Sequence, residues 1–327
     1  MSAMIVTVRQ GGDPDRVRRA LVERGLWAKR LEGAGRVQFV VAAHSAQVPA
    51  DGLGDLPDVE LVTTSASAHP LVDAMPEVLE VGPVRLGPGQ VPVVFAGPCA
   101  VESEEQVRRL AASLAAMGVR FLRGGAFKPR TSPYEFQGKG QEALRWLKRA
   151  ATENGMGLVT ECMGVDERDD VAEHADLVQI GSRNMHNYAL LKSVAKAGRP
   201  VFLKRGMAAT VEEWLAAGEY CLLHGAPSVV FCERGIRSFD PSTRNLVDLG
   251  AVALLAHVHR VPVVVDPSHG TGRRDLVMPL ARAAVAAGAH GVMVETHDDP
   301  GSALSDGPQA MLPDQLAALV RALGVSP

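Results

Sequence analysis

Phe121-Leu-Arg-Gly-Gly-Ala-Phe-Lys-Pro-Arg-Thr-Ser-Pro133 passes from an apolar strand into a loop that carries cations and a hydroxyl pair between rigid turn residues. Phe121 and Leu122 read as the strand end, and Gly124 and Gly125 let backbone come close to a ligand. Pro129 and Pro133 restrict the loop in advance, so Lys128, Arg130, Thr131 and Ser132 need little ordering on binding. Arginine offers a planar fork and lysine a point charge, the two usual partners of phosphate oxygens. An isolated Lys-x-Arg is ordinarily a solvated surface pair; the flanking glycines and prolines favour a phosphate-holding loop. Chemistry placed where a strand ends is the arrangement of a parallel (β/α) barrel, whose functional residues sit at the C-terminal ends of its strands.

The chain on either side fits that arrangement. Short Val- and Leu-rich runs at 93–96, 119–122, 158–161, 177–180, 201–204, 229–233, 263–266 and 291–295 read as strands. They alternate with helical patterns at 104–117, 141–154, 166–173, 188–197, 211–224, 250–258, 276–287 and 313–323. Strands so uniformly apolar are buried on both faces, as a parallel barrel requires. Each ends in a polar candidate. Cys99 follows the first, Arg123 and Lys128 the second; Glu161 ends the third, Arg183 follows the fourth and Lys204 ends the fifth. Arg234 follows the sixth, Asp266 and His269 the seventh, and Glu295 ends the eighth with Asp306 on its loop. The expected fold class is α/β, a (β/α)8 TIM barrel; a doubly wound open sheet is the alternative with the same alternation.

Before the barrel, strand patterns at 4–8, 27–31, 36–42 and 59–63, with a helix opened by Asp13-Pro14, give a small ferredoxin-like α+β domain. Its second helix is weakly marked between 45 and 56. The expected organisation is a ferredoxin-like domain at 1–67, a linker with a short hairpin at 68–90 and the catalytic barrel at 91–327. The first domain carries no catalytic constellation, so its role reads as regulatory or structural.

Composition narrows the function. A formal charge of −3 over 327 residues argues against general affinity for nucleic acid or membrane, which makes the cationic loop a local site on a mildly acidic body. Cys99, Cys162, Cys221 and Cys232 form no Cys-x-x-Cys pair, and the N-terminus has neither a signal-peptide pattern nor a long apolar span. A reduced cytoplasmic setting follows.

Cys99, His269, Glu295 and Asp306 are potential metal ligands of mixed softness on separate loops of one rim. Each alone has a plain explanation as a packed or solvated residue; their convergence favours one divalent ion, of a first-row kind the sequence does not name, polarising a carbonyl oxygen. Arg123, Lys128, Arg130, Arg183, Lys204 and Arg234 exceed what one phosphate needs, so two phosphorylated substrates are expected. Glu161 would either transfer a proton or hold one of these cations. Cys162, Cys221 and Cys232 read as packing residues, and His257 and His259 as structural or exposed.

Seven ordered motifs carry a resemblance: Gly97-Pro-Cys-Ala-Val-Glu-Ser103, Leu122 to Pro133, Ile180-Gly-Ser-Arg-Asn-Met185, Leu203-Lys-Arg-Gly206, Cys232-Glu-Arg-Gly235, Asp266-Pro-Ser-His269 and Leu304-Ser-Asp-Gly307. Together they resemble the 3-deoxy-D-arabino-heptulosonate 7-phosphate (DAHP) synthases of the short type I subclass with an N-terminal ferredoxin-like domain. The resemblance implies condensation of phosphoenolpyruvate with erythrose 4-phosphate and water to DAHP and phosphate, opening the shikimate route to aromatic amino acids. It implies one divalent metal ion per subunit (Mn2+, Fe2+, Co2+ or Zn2+) held by Cys99, His269, Glu295 and Asp306. It implies phosphoenolpyruvate contacts from Arg123, Lys128, Arg183, Lys204 and Arg234, and erythrose 4-phosphate contacts from Arg130 and Thr131. Ser132 and Asp266 join the substrate-binding set, and Cys99, Lys128, Glu161 and His269 the catalytic set. A homotetramer and an aromatic amino-acid effector at the N-terminal domain are further implications. Cys162 after the Thr-Glu pair and Thr296-His297-Asp298 after Glu295 depart from the usual pattern. Competing readings are 3-deoxy-octulosonate 8-phosphate synthase acting on arabinose 5-phosphate, a Schiff-base aldolase using Lys204, and a non-catalytic phosphometabolite-binding barrel.

Overall fold

A computed structural model of the chain describes residues 4–33, 35–128 and 132–326. The chain forms two compact units, Met1–Pro70 and Leu71–Pro327.

In the first unit, β1 (Met4–Val8), α1 (Pro14–Glu23), β2 (Ala28–Gly33), β3 (Arg36–Val41), α2 (Asp51–Gly54) and β4 (Val59–Thr64) build an antiparallel sheet of order β2-β3-β1-β4. This is the ferredoxin-like arrangement. Asp13 caps α1 by accepting from Asp15 N–H, and Pro14 at the first helical position needs no donor there. Val6, Val17, Leu21, Phe39 and Leu53 form the core. The weakly marked second helix is a single turn, in keeping with Gly52 and Gly54, which disfavour helix.

The second unit begins with α3 (Pro70–Asp73), whose Leu71 and Val72 N–H groups donate to the Glu219 carboxylate, and the hairpin β5 (Leu79–Val81) and β6 (Val84–Leu86). Strands β7 (Val93–Gly97), β8 (Phe121–Arg123), β9 (Gly157–Glu161), β10 (Leu177–Ile180), β11 (Val201–Lys204), β12 (Val229–Glu233), β13 (Val263–Val265) and β14 (Gly291–Glu295) follow. They close a parallel barrel, β14 pairing back onto β7 from Gly291↔Val93 to Glu295↔Gly97. The helices are α4 (Glu104–Ala116), α5 (Gln141–Glu153), α6 (Arg168–His174), α7 (Tyr188–Ala195), α8 (Val211–Leu223), α9 (Leu249–Ala253), α10 (Pro267–Thr271), α11 (Arg274–Ala286) and α12 (Pro313–Ala322).

Two apolar layers result from the period-2 alternation of the strands. One lies between strands and helices and includes Leu122, Leu147, Trp214 and Val265. The other fills the barrel with Phe95, Phe121, Phe202, Val230 and Met293, the Phe95 ring sitting 4.9 Å from Phe121 and 5.5 Å from Phe202.

Two sequence expectations change. The short hairpin expected within 68–90 is present as β5 and β6, but from Leu71 the stretch packs as part of the barrel: Val72 belongs to the outer barrel core, and Leu79, Val81 and Leu86 to the inner one. The hairpin turn at Gly82 lies against the floor of the barrel, since a Cβ there would stand 3.2 Å from the Phe121 ring. Burial of these apolar residues outweighs the Pro- and Gly-rich composition. The helix expected at 250–258 is α-helical only to Ala253, then widens into a π-helical turn at Leu254–His259 that Arg260 ends in the left-handed region, φ 55°.

Candidate active site

The C-terminal rim of the barrel gathers the polar residues, and the ends of the strands decide which of them meet. Gly97 ends β7 with φ 155°, and a Cβ on it would fall 1.9 Å from the Arg123 carbonyl oxygen, so only glycine lets β7 and β8 run this close. The following turn sets down Cys99. Strand β13 leads into α10, a one-and-a-half-turn helix whose N-cap, Asp266, accepts from the His269 N–H at 2.9 Å. The same carboxylate accepts from His269 Nδ1 at 2.7 Å and pairs with Lys204 Nζ. Nδ1 therefore carries the proton, and Nε2 is turned toward Glu295 Oε1 at 3.3 Å.

One ligand atom from each of Cys99, His269, Glu295 and Asp306 lies within 4.8 Å of the other three. A thiol sulfur, an imidazole nitrogen and two carboxylates fit a divalent first-row ion, and their second partners are in place. Glu295 Oε2 accepts from Gln309 Nε2 at 2.6 Å, its N–H donates to Ser268 Oγ, and Cys99 Sγ donates to Asp306 Oδ2 at 3.1 Å.

The electrostatics of this rim are tightly coupled. Burial pushes the Cys99 thiol up to about 12 and nearby Glu295 adds to this, so without a strong cation it stays protonated. Metal coordination is what deprotonates such a thiol. Burial opposes ionisation of Glu295 and of Asp266. His269 and Arg123 outweigh it for Glu295, and His269 and Lys204 for Asp266, so both carboxyls lie below their usual range. Burial likewise works against the charge on Lys128, but the charge of Glu295 and the hydrogen bond to Cys99 hold the ammonium above its ordinary value. Lys128 Nζ donates to Cys99 Sγ at 2.9 Å and to Cys99 O at 3.2 Å. Arg123 Nη1 donates to Pro98 O at 2.7 Å and pairs with Glu295 at 3.2 Å.

Beside the cluster is a cavity of about 370 Å³. Arg123, Lys128, Glu161, Arg183, Lys204, Arg234, His269 and Asp306 all line it. Arg123 Nε and Arg234 Nη1 are buried polar atoms without a hydrogen-bond partner among the described residues, which suits an anion in the cavity. Glu161 accepts from the neutral amide of Gln179 at 3.1 Å, and Gly181 leaves its carboxylate room, since a Cβ there would lie 2.1 Å from Oε1.

Not every expected substrate contact is placed alike. Asp266 does not line this cavity: fully buried, it spends its oxygens on α10, His269 and Lys204, and acts behind them. Ser132 turns its own loop, its Oγ accepting from Tyr134 N–H at 3.3 Å. Arg130 and Thr131 lie outside the described residues. The sequence reading missed Gln179, Arg244, Asn245 and Glu135, which line the cavity, and Arg205, which bridges Glu233 and Asp248 at 3.0 and 2.9 Å. Gln179 leaves a signal, a polar residue inside an apolar strand; the others sit in loops or beside a louder neighbour.

Comparisons with known proteins identify relatives along nearly the whole chain. A model of the DAHP synthetase I family matches residues 64–324. Phospho-2-dehydro-3-deoxyheptonate aldolase of Thermotoga maritima is 42% identical over 98% of this chain and 99% of its own length. A 2-dehydro-3-deoxyphosphooctonate aldolase of Acidithiobacillus ferrooxidans is 34% identical over 70% of this chain and 87% of its own. The crystal structure of the Thermotoga maritima phospho-2-dehydro-3-deoxyheptonate aldolase (DAHP synthase) is similar with a TM-score of 0.76 and 40% identity, covering 100% of this chain and 99% of that one. A truncated form of 3-deoxy-D-arabino-heptulosonate 7-phosphate synthase from the same organism gives a TM-score of 0.70 and 43% identity, over 76% of this chain and 94% of that one. With the barrel, the ordered rim motifs and a full-length relative in agreement, the chain belongs to the DAHP synthetase I family.

Proposed function

We propose that the protein condenses phosphoenolpyruvate with erythrose 4-phosphate and water, releasing DAHP and inorganic phosphate. The observation that carries this reading is the shared wall: His269 and Asp306 of the four-ligand cluster line the same cavity as Arg123, Lys128, Arg183, Lys204 and Arg234. These cations match the carboxylate and phosphate of phosphoenolpyruvate in charge, and contacts to both groups would hold its enol carbon in one orientation. Cys99, His269, Glu295 and Asp306 would hold a divalent ion, which when bound would supply Lewis-acid polarisation of the aldehyde oxygen. Lys128, held charged against Cys99, is assigned the proton delivered to that oxygen as the carbon–carbon bond forms. Water then adds to the carbon bearing the phosphate, and the phosphate leaves with its bridging oxygen. Glu161 lies along the cavity wall, held by Gln179, at a position suited to proton transfer with that water. Arg130, Thr131 and Ser132 are assigned to the second substrate, and Asp266 to holding Lys204 and His269.

The same reading makes the first unit regulatory, with an aromatic amino acid as its effector, the assembly a homotetramer, the metal one of Mn2+, Fe2+, Co2+ or Zn2+, and the location cytoplasmic. None of the described helices is long and apolar enough to cross a membrane.

Phosphate release from phosphoenolpyruvate, with erythrose 4-phosphate or arabinose 5-phosphate as acceptor and with or without chelator, tests the reading. We expect chelator-sensitive release with the four-carbon sugar. Arg130→Ala should raise the KM for that sugar about 10- to 150-fold, the equivalent of one charge-assisted hydrogen bond, and the KM for phosphoenolpyruvate far less. Faster turnover of arabinose 5-phosphate would instead assign the octulosonate reaction.

A further inference from the structure

We propose that Arg244 is a positioning residue of the metal centre: it occupies one carboxylate oxygen of Asp306, leaving the other to the ion, and couples that ligand to the helix bearing His269. The inference rests on the metal-centre reading given above and deepens it.

Arg244 stands in the segment 234–248 between β12 and α9. The segment is closed at its base by an antiparallel bridge, Ile236 and Leu246 exchanging N–H···O bonds of 2.9 Å. Arg244 and Asn245, just before the bridge closes, lie along α10. Arg244 N–H donates to Thr271 O at 2.9 Å, Asn245 N–H to Gly270 O at 3.0 Å, and Asn245 Nδ2 to His269 O at 3.2 Å. Three successive carbonyls of the helix that carries His269 are thus taken by two residues of this strap. The Arg244 side chain then passes Gly272, where an added Cβ would lie 3.0 Å from its Nε and 3.1 Å from its Cβ. Beyond that glycine, Nη1 and Nη2 both reach Asp306 Oδ1 at 3.3 Å. Oδ2, by contrast, faces Cys99 Sγ at 3.1 Å and Ser305 Oγ at 3.4 Å, inside the cluster.

The two oxygens of Asp306 are therefore divided between partners. This matters because Asp306 stands on a loop, its backbone in the left-handed region at φ 52°, and Arg244 reaches its carboxylate from a different element. Outer partners that orient a ligand contribute to metal affinity even though they never touch the ion. An exposed ion pair with no such role would leave that affinity unchanged.

The test is a Co2+ titration of the metal-stripped full-length chain without substrates. It is followed by the thiolate-to-cobalt charge-transfer band and the visible ligand-field bands, with Cys99→Ser as the control that lacks the former. Arg244→Ala and Arg244→Gln should weaken Co2+ binding about 10- to 100-fold. They should also alter the ligand-field bands, since Asp306 is released to use both oxygens. Arg244→Lys keeps the charge without the fork and should stay closer to Arg244→Ala than to wild type. Unchanged affinity and bands in Arg244→Ala, or full recovery by lysine, would overturn the proposal. A wild-type protein that binds Co2+ without the thiolate band would remove the metal-centre reading itself, and this inference with it.

Discussion

Gly181 occupies a position where a single methyl group would address one catalytic candidate and little else. Its backbone, φ −72° and ψ 159°, suits alanine, so no backbone strain follows from the substitution. The added Cβ would stand 2.1 Å from Glu161 Oε1, however, and the carboxylate must give way. Gly181→Ala is therefore expected to lower kcat by about 10-fold or more, since a positioned acid or base contributes roughly 10²- to 10⁴-fold. The thermal midpoint should move by only about 4 °C or less, the shift that a loss near 1 kcal/mol gives in a chain of this size. Steady-state kinetics with a parallel melting curve separates the outcomes, and an unaltered kcat would take Glu161 out of the chemistry. At this scale the sequence was readable wherever a reactive residue stood at the end of a strand, as Lys204 and Glu295 do, or just past it, as Cys99 does. Asp266 was legible as a rim residue but not in its role, because capping α10 and pairing with Lys204 both come from tertiary proximity.

Elements were legible in proportion to their burial. The eight strands announce themselves as Val- and Leu-rich runs because both of their faces are covered, whereas the hairpin β5–β6 interleaves Glu80 and Arg85 with its apolar residues in a Pro- and Gly-rich setting. Helix α10 is too short for periodicity to register, although Asp266-Pro267 bears the cap-and-proline signal of a helix start. Arg244 and Asn245 are silent for a different reason: they act from the returning limb of a long connection, ten residues or more beyond the end of β12. The N-terminal end of β14 supports a prediction of its own. His290 Nδ1 accepts from Val263 N–H at 3.1 Å, while His290 N–H donates to Val263 O at 2.8 Å, so the ring serves this contact only when neutral. Burial, and then His257, hold His290 below its ordinary value of 6.5. The unfolded chain therefore binds this proton more readily, and the stabilisation is present above about pH 6.5 and is lost as pH falls below it. Urea midpoints at about pH 7.5 and pH 5.5 should show a smaller acid loss in His290→Gln than in wild type. An equal loss in both would exclude this ring as a source of acid sensitivity.

For the molecule as a whole, the question is where the barrel begins, because composition suggests residue 91 and packing suggests residue 71. Leu71 and Val72 N–H groups are held by Glu219, and Val72 is buried in the outer barrel core. Leu79, Val81 and Leu86 close the barrel floor against Phe95 and Phe121, each contributing about 1.5–3 kcal/mol by burial. At that floor Gly157 admits the Phe121 ring and Pro83 together, an added Cβ meeting them at 2.6 and 2.9 Å. A chain starting at Leu71 keeps all of these contacts, and with them every rim residue assigned to substrate or metal. It should fold cooperatively and turn over phosphoenolpyruvate at a rate comparable to the full chain, while any response to phenylalanine or tyrosine is lost. A chain starting at Val91 retains the same rim but uncovers the Phe95 and Phe121 rings at the opposite end. Its loss of several kcal/mol is of the order of the whole stability of an ordinary domain, so it should aggregate or unfold at moderate temperature. Melting curves and phosphate release for the two truncations decide between the boundaries. Equal stability of both would make the hairpin a passive connector, and an inactive but folded chain from Leu71 would give the first unit a part in the chemistry.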